Sequence, residues 1–361
     1  MSDAVFLTGG TGFLGMAVLA RLLEADEGPE VFLAVRAGDG DEADERVAKV
    51  LAPLYDDPPA GAARAHGVCA ELTASALGIA ANDRRTLTAE VDRVVHCAAS
   101  VEFTLPLPEA RAINVEGVRR VVELAREMSG LERMVQVSTA YVCGREPTRF
   151  DEDDETSGEG FRNTYEQTKW EGEQEIAKAG LPHATVRPSI VVGEGHSGWT
   201  SSFNVIYWPL QAFVRGLFTE VPADPDGIID MVPVDYVAEV IEGALYEPGA
   251  DGAFHAVAGE NALTVTELLK HTCDALDRPR PDLSPPGTLD PDHPAAVFEP
   301  YFDVYTIFGD RRARALLPDS PGPPPAEEYM PALIDYSLQT KWGKQPLTRQ
   351  AARAALPRSE A

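Results

Sequence analysis

The chain has 361 residues, enough to bury a large core in one elaborate α/β domain or in a main domain with a smaller partner. Its 44% apolar and 25% charged residues exclude a disordered chain. A formal net charge of -27 argues against nucleic acid or an anionic membrane surface as a partner, because phosphate is repelled at long range.

Cys69, Cys97, Cys143 and Cys273 form no C-x-x-C pair and no His/Cys cluster, so neither a disulfide framework nor a metal site is expected. No basic segment precedes an apolar run, and no uninterrupted apolar stretch reaches about 18 residues. A cytoplasmic protein without a membrane span is the expectation.

Taken in order, Ala4 to Thr8 is a short apolar strand that breaks into glycines, and Phe13 to Glu24 has the spacing of a helix packed on a sheet. Val31 to Arg36, Val91 to Cys97 and Arg133 to Ser138 read as further buried strands. Helices over Ala43 to Leu54 and Ala110 to Met128 separate them. Strands alternating with helices predict a doubly wound parallel sheet of the Rossmann type. An acidic, turn-rich loop from Arg145 to Asn163 then leads to a helix over Tyr165 to Ala179 and a strand over Ala184 to Arg187, the sheet continuing to about Val192. The acidic run Asp151 to Glu155 reads as a solvated loop.

Residues 1–194 are thus expected to form the dinucleotide-binding core. Residues 195–361 form a mixed substrate-binding or cap region, with segments such as 230–245 returning to the core. That region holds an aromatic stretch from Phe203 to Phe218, a strand over Gly252 to Val257 and a helix over Thr264 to Leu276. Loops at Pro279 to Pro294 and Pro318 to Pro325 tie down a small helical end. The aromatic stretch reads as a core helix interrupted at Pro209, with a few side chains left to line a tunnel or form a lid.

Gly9, Gly12 and Gly15 follow a strand and open a helix, the context in which backbone N–H groups approach a pyrophosphate. The second strand ends on Arg36, where a protein preferring NAD usually has an acid for the ribose 2′-hydroxyl. A cation there favours a 2′-phosphate, so NADPH is expected over NADH. Tyr165 and Lys169 stand four apart on one face of a helix, where an ammonium and an oxidised nicotinamide both favour the phenolate. The strand ending in Ser138 and Thr139 points its carboxyl end at the same pocket. Thr139 is placed to hydrogen-bond a substrate carbonyl, while Ser138 is structural or faces the cofactor. His96 reads as a packed structural residue, and Cys143 as a small buried filler without an activating base.

These residues resemble the extended short-chain dehydrogenase/reductases over most of the chain. Within that group the texts VVHCAASVEF, VSTAYV, YEQTKWEGE, VRPSIVVGEGHSGW and DMVPVDYVAEVI are similar to the thioester reductases and fatty acyl-CoA reductases. The resemblance implies Thr139, Tyr165 and Lys169 as the catalytic set, the last two also meeting the cofactor. It implies Thr8, Gly9, Gly12, Phe13, Leu14 and Gly15 at the pyrophosphate and Arg36 at the 2′-phosphate. Ala98 and Ala99 match the loop beside the adenine ribose, Asn114 a helix asparagine supporting the site, and Pro188, Ser189, Ile190 and Val191 the segment along the nicotinamide. Glu71 and Leu72 stand near adenine, but Ala70-Glu71-Leu72 replaces the family's Gly-Asp-Leu.

The implied reaction is NADPH-dependent reduction of an acyl thioester, on coenzyme A or on an acyl or peptidyl carrier protein, to an aldehyde or onward to an alcohol. A second enzyme reading, reduction of a ketone, aldehyde or hydroxysteroid-like substrate, uses the same residues. A nucleotide-sugar dehydratase is disfavoured by Ala140-Tyr141 after Thr139, and an epimerase by Arg36. A non-catalytic NADP(H) sensor is disfavoured because both Tyr165 and Lys169 are present.

Overall fold

A computed structural model describes residues 3–145, 148–156, 160–203, 206–215, 220–288, 301 and 303–355, leaving out the side chains of Trp208 and Ala212. Seven parallel strands build the main sheet: β1 (Ala4–Thr8), β2 (Glu30–Val35), β3 (Ala65–Cys69), β4 (Arg93–His96), β5 (Arg133–Val137), β6 (His183–Pro188) and β7 (Gly252–Ala256). Their spatial order is β7-β6-β5-β4-β1-β2-β3, so β1 pairs with both β2 and β4. The winding reverses between β1 and β4, and an open α/β sheet binds ligands at the carboxyl ends beside such a point.

Helices cover both faces, which is why β1 and β5 are buried at every residue. On one face α1 (Phe13–Glu24) and α2 (Gly40–Leu51) bury Leu19, Leu22 and Val47. On the other, α3 (Ala81–Glu90), α5 (Glu116–Glu127) and α6 (Thr164–Ala177) bury Leu87, Val121, Leu124 and Ile176. Each fully buried side chain of this kind contributes about 1.5–3 kcal/mol. Between α3 and α5 in sequence, α4 (Leu107–Asn114) leads into the site.

Beyond β6 a smaller body forms from α7 (Tyr207–Val214), α9 (Val265–Leu276) and α11 (Ala326–Gln339), packed over short paired strands. One such pair, Ile190–Val192 with Met231–Pro233, joins this body to the end of β6. Between them α8 (Val234–Tyr246) crosses to the main sheet and buries Val237 and Ile241 against the α1 face. Near the end, α10 (Arg311–Leu316) packs by β7, and α12 (Arg349–Ala354) docks through Arg349 on Glu24 and Glu194.

Several local expectations are corrected. The single helix expected over Ala110 to Met128 is two, α4 and α5, meeting at Val115. The helix expected from Ala43 starts at Gly40, because the Asp39 side chain accepts from Glu42 N at 2.9 Å, and it ends at Leu51. Strand β3 and helix α3 carry little periodicity because each buries a single hydrophobic residue, Val68 and Leu87. Pro209 does not interrupt α7; it sits in the first turn, where a missing N–H costs nothing. Leu217 and Phe218 lie outside the described residues. The acidic run is not wholly solvated: Glu152 is buried, accepting from His255 N at 2.9 Å, Ala313 N at 2.8 Å and Arg312 N.

Candidate active site

The turn after β1 is built by glycines with different duties. Gly9 has φ +77°, and a Cβ there would stand 2.5 Å from Ala98 N, so this position needs glycine for the fold itself. At Gly15 a Cβ would meet Gly9 O at 2.2 Å. Gly10, which the spacing argument passed over, is equally tight against Leu33. Gly12 differs: it is exposed, and its nearest neighbour for a Cβ is Gly9 O at 3.3 Å. The first turn of α1, at Phe13, Leu14 and Gly15, has no capping side chain and no acid. Its N–H groups and dipole therefore face outward as an anion site.

Thr8 ends β1 and lies next to His96 at the end of β4, Oγ1 to Nδ1 being 2.6 Å, and Thr8 Oγ1 also accepts from Ala98 N at 3.3 Å. Burial holds His96 neutral, its pKa pushed down to about 3. The histidine thus stitches two strand ends and fixes the loop through Ala98 and Ala99. Asn114 secures that loop from the other side. Its Oδ1 accepts from Ser100 N at 2.8 Å, and its Nδ2 donates to Ser100 O at 3.0 Å and Thr168 Oγ1 at 3.0 Å.

The catalytic candidates converge. Helix α6 is capped by Asn163, whose Oδ1 accepts from Glu166 N at 3.0 Å, and it carries Tyr165 and Lys169 on successive turns. The Thr139 hydroxyl lies close enough to the Tyr165 phenol to favour its charged form. Thr139 Oγ1 also donates to Pro188 O at 3.4 Å, which joins the ends of β5 and β6. Burial pushes the Tyr165 phenol up to about 12, partly opposed by the Thr139 hydroxyl. Burial pushes the Lys169 ammonium down to about 8, and its Nζ donates to Val137 O at 2.6 Å. The expectation that Lys169 lowers the Tyr165 pKa is therefore corrected for the free chain, where the ammonium serves a backbone carbonyl and burial dominates.

Three buried polar atoms at the carboxyl ends of β4, β5 and β6, His96 Nε2, Ser138 Oγ and Ser189 Oγ, have no hydrogen-bond partner among the described residues. Arg36 is exposed just past β2, with no ion pair among the described residues. Together with the open Gly12 turn, these features fit a phosphate-bearing nucleotide. Glu71 accepts from the exposed Thr73, from its N at 3.3 Å and its Oγ1 at 3.1 Å, and Leu72 packs under α5 near Gly117. Pro188 ends β6, the Ser189 N–H donates to Ala256 O at 3.2 Å, and Ile190 and Val191 remain half-buried. Cys143 is buried with its thiol pushed up to about 12, as befits a filler.

Sequence reasoning missed the support behind Tyr165. Glu166 is fully buried, with Oε1 accepting from Tyr301 OH at 2.7 Å and Oε2 from Arg162 N at 2.9 Å. Tyr301 OH in turn accepts from Asn163 Nδ2 at 2.7 Å, and the rings of Tyr301 and Tyr165 both contact Phe103. Only the charge of Glu166, next to Tyr165 in an otherwise packed helix, hinted at this. No helix among the described residues is long and apolar enough to cross a membrane, and none of their His, Cys, Asp and Glu side chains form a metal-ligand group.

Residues 7–241 match the family described as male sterility protein, an NAD-binding domain. Fatty acyl-CoA reductase 1 of Xenopus laevis is 32% identical over 283 residues, covering 68% of this chain and 55% of the relative. The chain thus spans about half the length of the curated relatives it matches. In fold it is similar to the terminal R domain of the myxalamid PKS-NRPS biosynthetic pathway, with TM-score 0.81, 21% identity and coverage of 96% and 93% of the two chains. It is also similar to a thiolation-reductase di-domain of an archaeal non-ribosomal peptide synthetase, with TM-score 0.73, 19% identity and coverage of 95% and 76%. The chain belongs to the male sterility protein family of extended short-chain dehydrogenase/reductases, a class of NAD(P)-dependent oxidoreductases.

Proposed function

We propose that this protein reduces an acyl thioester with NADPH, using Thr139, Tyr165 and Lys169. The observation that carries the reading is the meeting of the Tyr165 phenol with the Thr139 hydroxyl just past the carboxyl end of β5, one helical turn from Lys169, whose Nζ donates to Val137 O at the end of the same strand. The likeness to proteins called fatty acyl-CoA reductase and to the R domain supports a thioester as substrate. The exposed Arg36, without an ion pair among the described residues, supports a 2′-phosphate and hence NADPH over NADH.

When bound, the nicotinamide supplies a hydride to the carbonyl carbon. Thr139 and Tyr165 hydrogen-bond the carbonyl oxygen as it gains negative charge, and Tyr165 gives it a proton. Lys169 holds the ribose and offsets the charge left on the phenolate. The resulting hemithioacetal breaks its C–S bond, releasing thiol and aldehyde. A second round would give the alcohol. The substrate reaches the site on coenzyme A or on an acyl or peptidyl carrier domain, and the protein works in the cytoplasm.

The test is incubation of purified protein with NADPH and a panel of acyl-CoA and acyl-carrier thioesters, following absorbance at 340 nm and free thiol. Stoichiometric NADPH loss and thiol release are expected. NADPH loss only with ketones or free aldehydes would replace this reading with the carbonyl reductase one.

A further inference from the structure

The small body beside β6 holds a partly open cavity of about 130 Å³ between α7, α9 and α11. Its wall includes Leu210 and Phe213 of α7, Leu268 and Leu269 of α9, and Met330 and Leu333 of α11. Almost nothing polar faces it. Of the two wall residues with hydroxyls, Tyr207 already accepts from Gly193 N at 2.7 Å at the back of the wall, leaving Thr272. An apolar space of this kind takes apolar guests.

Its position gives it a use. Met231, on the cavity wall, is paired with Ile190 in the short parallel strand pair that continues from the end of β6. Ile190 packs on both sides at once: against the cavity cluster, and against the Ala140 to Cys143 turn that follows Thr139. Only one strand width, about 4.8 Å, separates the strand of Met231 from the segment that follows Pro188, whose carbonyl accepts from Thr139.

Resting on the thioester reading above, we infer that this cavity receives the hydrocarbon end of the acyl group and sets its length. A cavity near 150 Å³ holds benzene, so this one takes on the order of six carbon atoms. The occupant is thus a medium-length alkyl chain or one terminal aromatic ring, with Ile190 forming the divide between reacting carbonyl and tail. Leu268 and Leu269 choose among substrates without touching the chemistry.

The experiment measures kcat/KM for acetyl, butyryl, hexanoyl, octanoyl, dodecanoyl and hexadecanoyl thioesters of coenzyme A, with wild type, Leu268→Trp and the milder Leu269→Phe. For wild type, kcat/KM is expected to rise about fourfold per methylene up to an optimum and then to fall. Both variants should move that optimum to shorter chains while acetyl thioester turnover stays within about twofold of wild type, since the cavity is not used by two carbons. Thioesters reduced at rates independent of chain length, or the same optimum in all three proteins, would overturn the inference while leaving the function intact.

A readout without turnover separates the two claims. Hexan-1-ol at millimolar concentration should raise the Tm of wild type and have no such effect on Leu268→Trp. That difference would uphold the cavity even if no thioester oxidised NADPH, a result that would remove only the thioester reading. Equal alcohol-induced shifts in both proteins would overturn the cavity assignment.

Discussion

Tyr301 donates its phenolic hydrogen to Glu166 at 2.7 Å, tying the C-terminal half of the chain to the residue beside Tyr165. Glu166 is fully buried, and burial raises its pKa although Arg162 and Tyr301 both favour its charged form. Tyr301→Phe leaves that carboxylate short of one donor. We expect a loss of about 1–3 kcal/mol in unfolding free energy, measured by urea denaturation. The kcat should fall while the Kd for NADPH is unchanged, because the defect lies behind Tyr165 rather than at the phosphate turn.

Tyr165→Phe removes the proton donor beside Thr139 while keeping the ring packed on Phe103. A drop in kcat of about a hundredfold to ten-thousandfold is expected, with fluorescence titration giving an NADPH Kd within about threefold of wild type. Unchanged turnover would remove Tyr165 from the mechanism, and lost cofactor binding would make it a binding residue.

Two glycines of the phosphate turn, Gly9 and Gly12, should respond oppositely to alanine. Gly9→Ala forces a left-handed φ on a Cβ that collides with Ala98, so its Tm should drop by several degrees, corresponding to at least about 1–3 kcal/mol. Gly12→Ala meets only Gly9 O at 3.3 Å and should melt close to wild type. Its NADPH Kd should nonetheless rise about tenfold or more, since the methyl occupies the approach of the pyrophosphate.

Arg36→Glu tests the choice of nucleotide. Reversing the charge at this exposed cation should shift the NADPH to NADH affinity ratio by more than about tenfold toward NADH, with little change in Tm. An unchanged ratio would mean that Arg36 is only a solvated strand end.

Burial lowers the pKa of Lys169 to about 8, so its ammonium is present below that pH and lost above it. If the ammonium holds the ribose, NADPH affinity should weaken as pH rises through about 8, by up to tenfold per unit. In Lys169→Met that break should vanish, with affinity low throughout. Isothermal titration between pH 6.5 and 9.5 measures both.

The sequence by itself determined the strand-turn-helix at Gly9 to Gly15 and the alternation that makes a parallel sheet. Each rests on local spacing: strand ends and helical turns repeat over a few residues, so residue order alone carries them. Tertiary structure alone decided that a Cβ at Gly9 or Gly10 collides with distant residues, Ala98 and Leu33, whereas one at Gly12 meets only the neighbouring Gly9 O. The same holds for Glu152, whose burial depends on backbone donors at His255 and Ala313. It holds for Lys169, whose ammonium serves Val137 O because α6 lies across the end of β5. Burial and partners across such separations set pKa values, and no short window of sequence contains both sides of the contact.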